Sequence, residues 1–138
     1  MNTWQVVLSV INGDLRGRAY VFERPLRCVV GRSKDCELSL AKTADFAGVS
    51  RHHCLLEINP PHITVRDLGS LNGTYINNDR IGGRPGHKSP DESSTYDSIP
   101  RELHNDDVLR VGDIHFRVSV IEPSILSGHV EAIPVACV

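Results

Sequence analysis

In "WQVVLSV", Trp4, Val6, Leu8 and Val10 fall on one face, and Gln5, Val7 and Ser9 on the other. Spacing with a period of two predicts a half-buried β-strand. "RAYVF" and "RCVVG" follow as two further strands, separated by Pro25, and "CELSL" as a fourth. "AKTADFAG" has no clear period and reads as a loop. "CLLEI", "ITVRDL" and the short "GTYI" continue the series, with turns at "NPPH" and "NND" before Arg80 and Ile81. In "DVLRVGDIHFRVSVI", Gly112-Asp113 separates two alternating runs, which is a hairpin signature. Ile114, Phe116, Val118 and Val120 point one way, and His115, Arg117 and Ser119 the other. Many short strands, closely spaced turns and no helical period predict an all-β fold, an antiparallel β-sandwich.

Two segments break the pattern. Residues 83–105 are polar and rich in Gly, Pro and Ser, and read as a long loop before the last hairpin. Residues 122–138 follow the last strand and read as a C-terminal extension, or as a linker to a further region. The domain is expected to span residues 1–121.

Composition changes this picture little. The 138 residues are 40% hydrophobic and 23% charged, with a net charge of −2. That suffices for one domain with a core, and it argues against a broad nucleic-acid or membrane surface. The N-terminus shows no targeting pattern, and no apolar run approaches the length of a membrane span, so a cytoplasmic protein is expected. Cys28, Cys36, Cys54 and Cys137 are scattered, without a C-x-x-C, and read as free thiols.

Candidate chemistry centres on "SRHHC" at residues 50–54. A metal site would need His53 and Cys54 to act together, yet neighbours on a strand point to opposite faces. Cys54 aligns with Leu56 and Ile58, toward the core, and no second His/Cys pair completes a zinc set. A nucleophilic Ser50 lacks a G-x-S-x-G elbow. No catalytic residue, metal or cofactor is expected. The third reading is a phosphate site. Ser50 brings a hydroxyl and Arg51 a guanidinium. Upstream, "VVGRS" ends a strand on Gly31-Arg32-Ser33, and downstream "GSLNGTYI" puts Asn72-Gly73 in a tight turn. A guanidinium fork matches phosphate oxygens bidentately, and a sandwich gathers its loops at one end. Arg32, Ser50 and Asn72 are therefore expected to converge on one ligand.

Gly31-Arg32-Ser33, Ser50-Arg51-x-His53 and Asn72-Gly73-Thr74, in this order, resemble the forkhead-associated (FHA) domain family, in its bacterial form, over about residues 5–120. The resemblance implies a sandwich of about eleven strands, FHA/SMAD-like, that binds phosphothreonine in a partner protein. By position, it makes Arg32 the main phosphate-binding arginine, gives Ser50 a hydroxyl bond to the phosphate, and makes Arg51 a second positive contact. Asn72 would hold the peptide backbone, and Ser33 and Leu71 complete the implied binding set. Gly31, His53, Gly73 and Thr74 would shape the loops. Leu71 stands where the family often has a polar residue, leaving its backbone N–H. Asn77-Asn78 replace the frequent Asn-Gly. The implied partner is a Thr-phosphorylated protein, such as a Ser/Thr kinase or its substrate, in kinase signalling. The alternative is a scaffold that uses the same fold without phosphate, through exposed Val7 and Ile121. Thr95, in the acidic loop, reads most simply as unmodified; if phosphorylated, it would be a ligand for a second copy.

Overall fold

The computed structural model describes residues 3–40, 48–84 and 99–123. The first of two sheets has six strands, in the order β2 (Ala19–Phe22), β1 (Gln5–Val10), β11 (Ile114–Ile121), β10 (Val108–Val111), β7 (Thr74–Ile76) and β8 (Asp79–Gly82). The second has five: β4 (Leu38–Ser39), β3 (Leu26–Gly31), β5 (Cys54–Asn59), β6 (His62–Asp67) and β9 (Arg101–Glu102). No α-helix occurs among the described residues. None of their elements is a helix long and apolar enough to cross a membrane.

The alternating faces meet in one core. Val6, Leu8 and Val10 of β1 and Ile114, Phe116 and Val118 of β11 are buried from the first sheet. Cys28 and Val30, Cys54, Leu56 and Ile58, and Ile63 and Val65 are buried from the second. Each fully buried aliphatic or aromatic side chain contributes roughly 1.5–3 kcal/mol relative to exposure. Cys28, Cys36 and Cys54 are all buried and none of the three is in a disulfide, and Cys54 faces the core with Leu56 and Ile58 as the alternation predicts.

Three features depart from the sequence reading. Trp4 shares the parity of Val6 but precedes β1 and stays 37% exposed. The sandwich contains one parallel pairing, β3 with β4, at Val30↔Leu38 and Gly31↔Ser39. It is two residues long, and Leu40 N–H to Gly31 O and Val29 N–H to the Glu37 carboxylate extend it. Part of the segment read as a loop is also a strand: Arg101 and Glu102 pair with Val65 and Thr64. The rest of that segment's centre, with Thr95, lies outside the described residues, as do Thr43, Cys137 and residues 124–138.

β1 and β11 are neighbours, and Gln5 pairs with Ile121. The other end of these strands reaches the Gly112-Asp113 hairpin, where the Asn12 side chain donates to Asp113 O. Gly48 packs against Gly112 there. The β3–β4 turn, the segment before β5, the β6–β7 loop and the end of β8 gather at this end and form the cleft described next.

Candidate functional site

Two backbone approaches bring the loops together. Arg32 N–H donates to Ser50 O (2.9 Å) and Ser33 N–H to Arg51 O (3.1 Å), so the turn after β3 is clipped to the segment before β5. Gly31 is required here, because a Cβ at that position would collide with the Arg51 carbonyl. His53 makes the second tie. It is fully buried. Its Nδ1 accepts from Ser50 N–H (3.1 Å), so Nε2 carries the proton and donates to Gly73 O (2.8 Å). Burial pushes this imidazole below its ordinary value of 6.5, against the Gly73 carbonyl and Asp67, which favour the charged form. Both ring nitrogens are thus engaged, and the histidine holds two loops in register.

The β6–β7 loop is organised by Asp67, also buried. Its carboxylate accepts from Gly69 N–H (2.8 Å), Ser70 N–H (3.0 Å), the Ser70 hydroxyl and the Thr74 hydroxyl (2.6 Å). Ser70 Oγ in turn accepts from Gly73 N–H (3.0 Å). Gly73 sits at φ +91°, where a side chain would be strained. Gly31, His53, Gly73 and Thr74 are all inside these ties.

The result is an open cleft of about 490 Å³, lined by one wall of Arg32 and residues 48–52 and another of Leu68, Gly69, Leu71, Asn72 and Arg84. Arg32 Nε donates to Val49 O (3.2 Å), which fixes the guanidinium plane. Its two terminal nitrogens have no partner among the described residues. Ser50 Oγ accepts from Leu71 N–H (3.0 Å), so the hydroxyl proton is available to an acceptor in the cleft. Asn72 Nδ2 donates to Gly48 O (3.1 Å), leaving its side-chain carbonyl open. No carboxylate lines the cleft among the described residues. A site of open donors, hydroxyl and guanidinium together, suits an oxyanion.

The structure therefore brings Arg32, Ser50, Arg51, Leu71 and Asn72 into one cleft. Two expectations change. Ser33 does not line it; its hydroxyl bonds Asp35 and is the main cause holding that carboxyl below its usual value, with His52 second. The Leu71 N–H is not open to a ligand, because Ser50 Oγ takes it. Arg84, Gly48 and Asp67 were not singled out from the sequence. "DLGS" carries the Asx-turn signal that locates Asp67; nothing local marks the other two.

Asp35, Cys36 and His52 place a carboxylate, a thiol and an imidazole within 4.8 Å of one another beside the cleft. The Cys36 thiol donates to Arg51 O (3.2 Å) and burial pushes its ionisation up, so it keeps its proton. His52 lies 3.1 Å from Asp35 as an exposed pair.

A cleft at the loop end of a two-sheet sandwich, with Arg32, Ser50 and Asn72 converging, agrees with an independent match. The family model described as the FHA domain matches residues 28–112. The chain belongs to the FHA domain family. Members of this family are interaction modules. Among curated proteins, the chain is 35% identical over 71 residues to the oxoglutarate dehydrogenase inhibitor of Corynebacterium efficiens, covering 51% of this chain and 46% of that protein. The chain thus spans about half the length of the curated relatives it matches. Two solved FHA structures are each 26% identical. One, from a study of phosphothreonine-dependent FHA domain interactions, has a TM-score of 0.61 and covers 83% of this chain and 95% of its own. The other, the FhaA FHA domain complexed with the intracellular domain of Rv3910, has a TM-score of 0.59 and covers 82% and 98%.

Proposed function

We propose that this FHA domain reads phosphothreonine in a partner protein, without catalysis of its own. The observation that carries the reading is Arg32, held through Nε on Val49 O, with no partner for its terminal nitrogens among the described residues and with the Ser50 hydroxyl in the same cleft. A phosphate brings about −1.5 to −2 charges and three acceptor oxygens. Arg32 takes two of those oxygens as a fork, and Ser50 donates to one. Arg51, exposed on the same wall, adds positive charge. Asn72, steadied by Gly48 O, offers its side-chain carbonyl to a peptide N–H. Ser33 and Leu71 act through the loop: Ser33 by binding Asp35, Leu71 by orienting the Ser50 hydroxyl.

Residues 1–121 then form the recognition domain. The partner is a Thr-phosphorylated protein, such as a Ser/Thr kinase or its substrate in the cytoplasm. The test is fluorescence anisotropy with a phosphothreonine peptide library and its unphosphorylated counterpart, on the wild type and Arg32→Ala. Binding that needs both the phosphate and Arg32 supports the reading; equal binding of both libraries overturns it.

One observation favours a second reading, a scaffold independent of phosphate. Trp4 and Ile121, at the paired start of β1 and end of β11, are 37% and 45% exposed. Val7, on the outer face between them and the cleft, is half-buried. Partner binding that survives Arg32→Ala would favour it.

A further inference from the structure

The sequence sets His53 beside Cys54, but the fold commits that pair elsewhere: His53 to the loop ties and Cys54 to the core. It is His52 that meets a thiol and a carboxylate. Its Nε2 stands 3.1 and 3.3 Å from the two oxygens of Asp35. Those atoms and Cys36 Sγ all lie within 4.8 Å of one another, a buried thiol beneath two exposed ligands. No other group of three His, Cys, Asp or Glu donors comes this close among the described residues.

The three donors come from two segments, and the backbone fixes the gap between them. Asp35 and Cys36 belong to the turn after β3, and His52 to the segment before β5. Ser33 N–H donates to Arg51 O (3.1 Å) across the gap, and Cys36 N–H to Ser33 O (3.2 Å) within the turn. The Ser33 hydroxyl orients the Asp35 carboxylate, as outer partners of metal ligands do.

The spacing suits one tetrahedral ion. Zinc bonds of about 2.0–2.1 Å to nitrogen and oxygen and about 2.3 Å to sulfur put the N and O ligands roughly 3.3 Å apart, and the sulfur roughly 3.6 Å from either. The His52–Asp35 edge already has that length. The sulfur edges must close by at most about 1.2 Å, within reach of side-chain rotation by exposed Asp35 and His52. Mixed sulfur, nitrogen and oxygen donors suit zinc, whereas calcium and magnesium take oxygen. A carboxylate and a thiolate also balance its 2+ charge. The Cys36 proton, which rests on Arg51 O in the metal-free protein, passes to solvent as the S–Zn bond forms.

We propose that Asp35, Cys36 and His52 form a zinc site, with water in the fourth position, that staples the turn carrying Arg32 to the segment carrying Ser50 and Arg51. The site stands independently of what the cleft binds.

The test titrates Zn²⁺, and Co²⁺ as its spectroscopic stand-in, into the purified full chain with its thiols kept reduced, against a chelator of known affinity. One zinc per chain is expected, with a sulfur-to-cobalt charge-transfer band for the cobalt form. Zinc at about a hundredfold excess over its dissociation constant should raise the melting temperature by on the order of 5–10 °C. His52→Gln, Asp35→Asn and Cys36→Ser should each weaken zinc binding at least about tenfold, since even a lost outer-shell partner costs that much. Cys36→Ser should also abolish the band, with circular dichroism as the folding check. His62→Gln and His104→Gln, at the other exposed histidines that meet a carboxylate, and Cys137→Ser should keep wild-type affinity. A wild type that binds no stoichiometric zinc overturns the proposal and needs no variant to fold. So does cobalt binding without the thiolate band, a band that survives Cys36→Ser, or zinc affinity that is lost at His62 or His104 instead of His52.

Discussion

Two concavities on this domain are similar in size and opposite in character. The loop-end cleft encloses about 490 Å³, and a groove on the second sheet, lined by Pro25, Leu26, Arg27, Glu57, Ile58, Asn59, His62 and Thr64, about 570 Å³. The groove is slightly larger and carries as much functional-looking chemistry: an arginine, a histidine and a glutamate. Its charges, however, are answered locally. Arg27 lies 3.9 Å from Glu57, and His62 lies 3.3 Å from Glu102. In the cleft, Arg32 and Arg84 each hold Nε on a backbone carbonyl, of Val49 and of Gly69, and meet no acid among the described residues. A ligand entering the groove must displace partners; a ligand entering the cleft supplies the missing one. Volume does not distinguish the two places, but unanswered and preorganised donors do.

The comparison breaks first at its foundation. Asp67→Ala removes the acceptor for four donors in a buried loop, and should cost about 3 kcal/mol or more. That would lower the melting temperature by on the order of 10 °C. Glu57→Ala, removing the groove's exposed partner, should leave it within about 2 °C, since exposed pairs contribute about 0–1 kcal/mol. Scanning calorimetry on the two variants checks this, and equal shifts would erase the contrast.

Affinity gives the next contrast. Arg32→Ala should weaken phosphothreonine-peptide binding by about ten- to a hundredfold, the loss of roughly 1.5–3 kcal/mol. Arg27→Ala should change it by less than about twofold. Calorimetric titrations of both variants with one peptide compare the two arginines directly. Ser50→Ala removes one hydroxyl donor and should cost about three- to tenfold in the same titration. It also frees the Leu71 N–H, which partly compensates.

Much of the fold was legible because burial imposes a period of two, and it was read from Val6, Leu8 and Val10 without reference to any partner. β9 was not legible, because Arg101 and Glu102 are two exposed polar residues whose strand character comes only from pairing with β6. The cleft wall of Arg32 and Ser50 was legible because both sit in compact blocks near glycines. Arg84 was not, because its position depends on Ser70 and Gly69, and it lies within the polar segment that reads as loop. Ser33 was placed on the ligand side by the family resemblance of the Gly31-Arg32-Ser33 block. Whether a hydroxyl in a turn faces outward or folds onto Asp35 is decided by a side-chain bond that spacing does not encode. The Asn77-Asn78 turn was legible from residue chemistry, and both residues have positive φ, 50° and 71°.

The smallest expected effect concerns pH. The buried His53 has its folded-state ionisation below the ordinary 6.5. Its contribution to stability is therefore fully present above about pH 6.5 and is lost as the pH falls through the lowered value. A histidine-ring NMR titration of the free protein should show His53 still neutral at pH 6.5, where an ordinary imidazole is half protonated.

The pairing of Gln5 with Ile121 has a consequence for how such a domain is deployed. The eight residues of β11 rise about 3.3 Å each. Roughly 25 Å therefore separates the pole where residues 5 and 121 leave the sheet from the pole where the cleft opens. A covalent neighbour joined at either residue attaches at the same pole and leaves the cleft facing away from it. Such a tether would concentrate the domain near a chosen target without contributing a single contact at the cleft, so that reach is set by the linker and selectivity by the opposite pole.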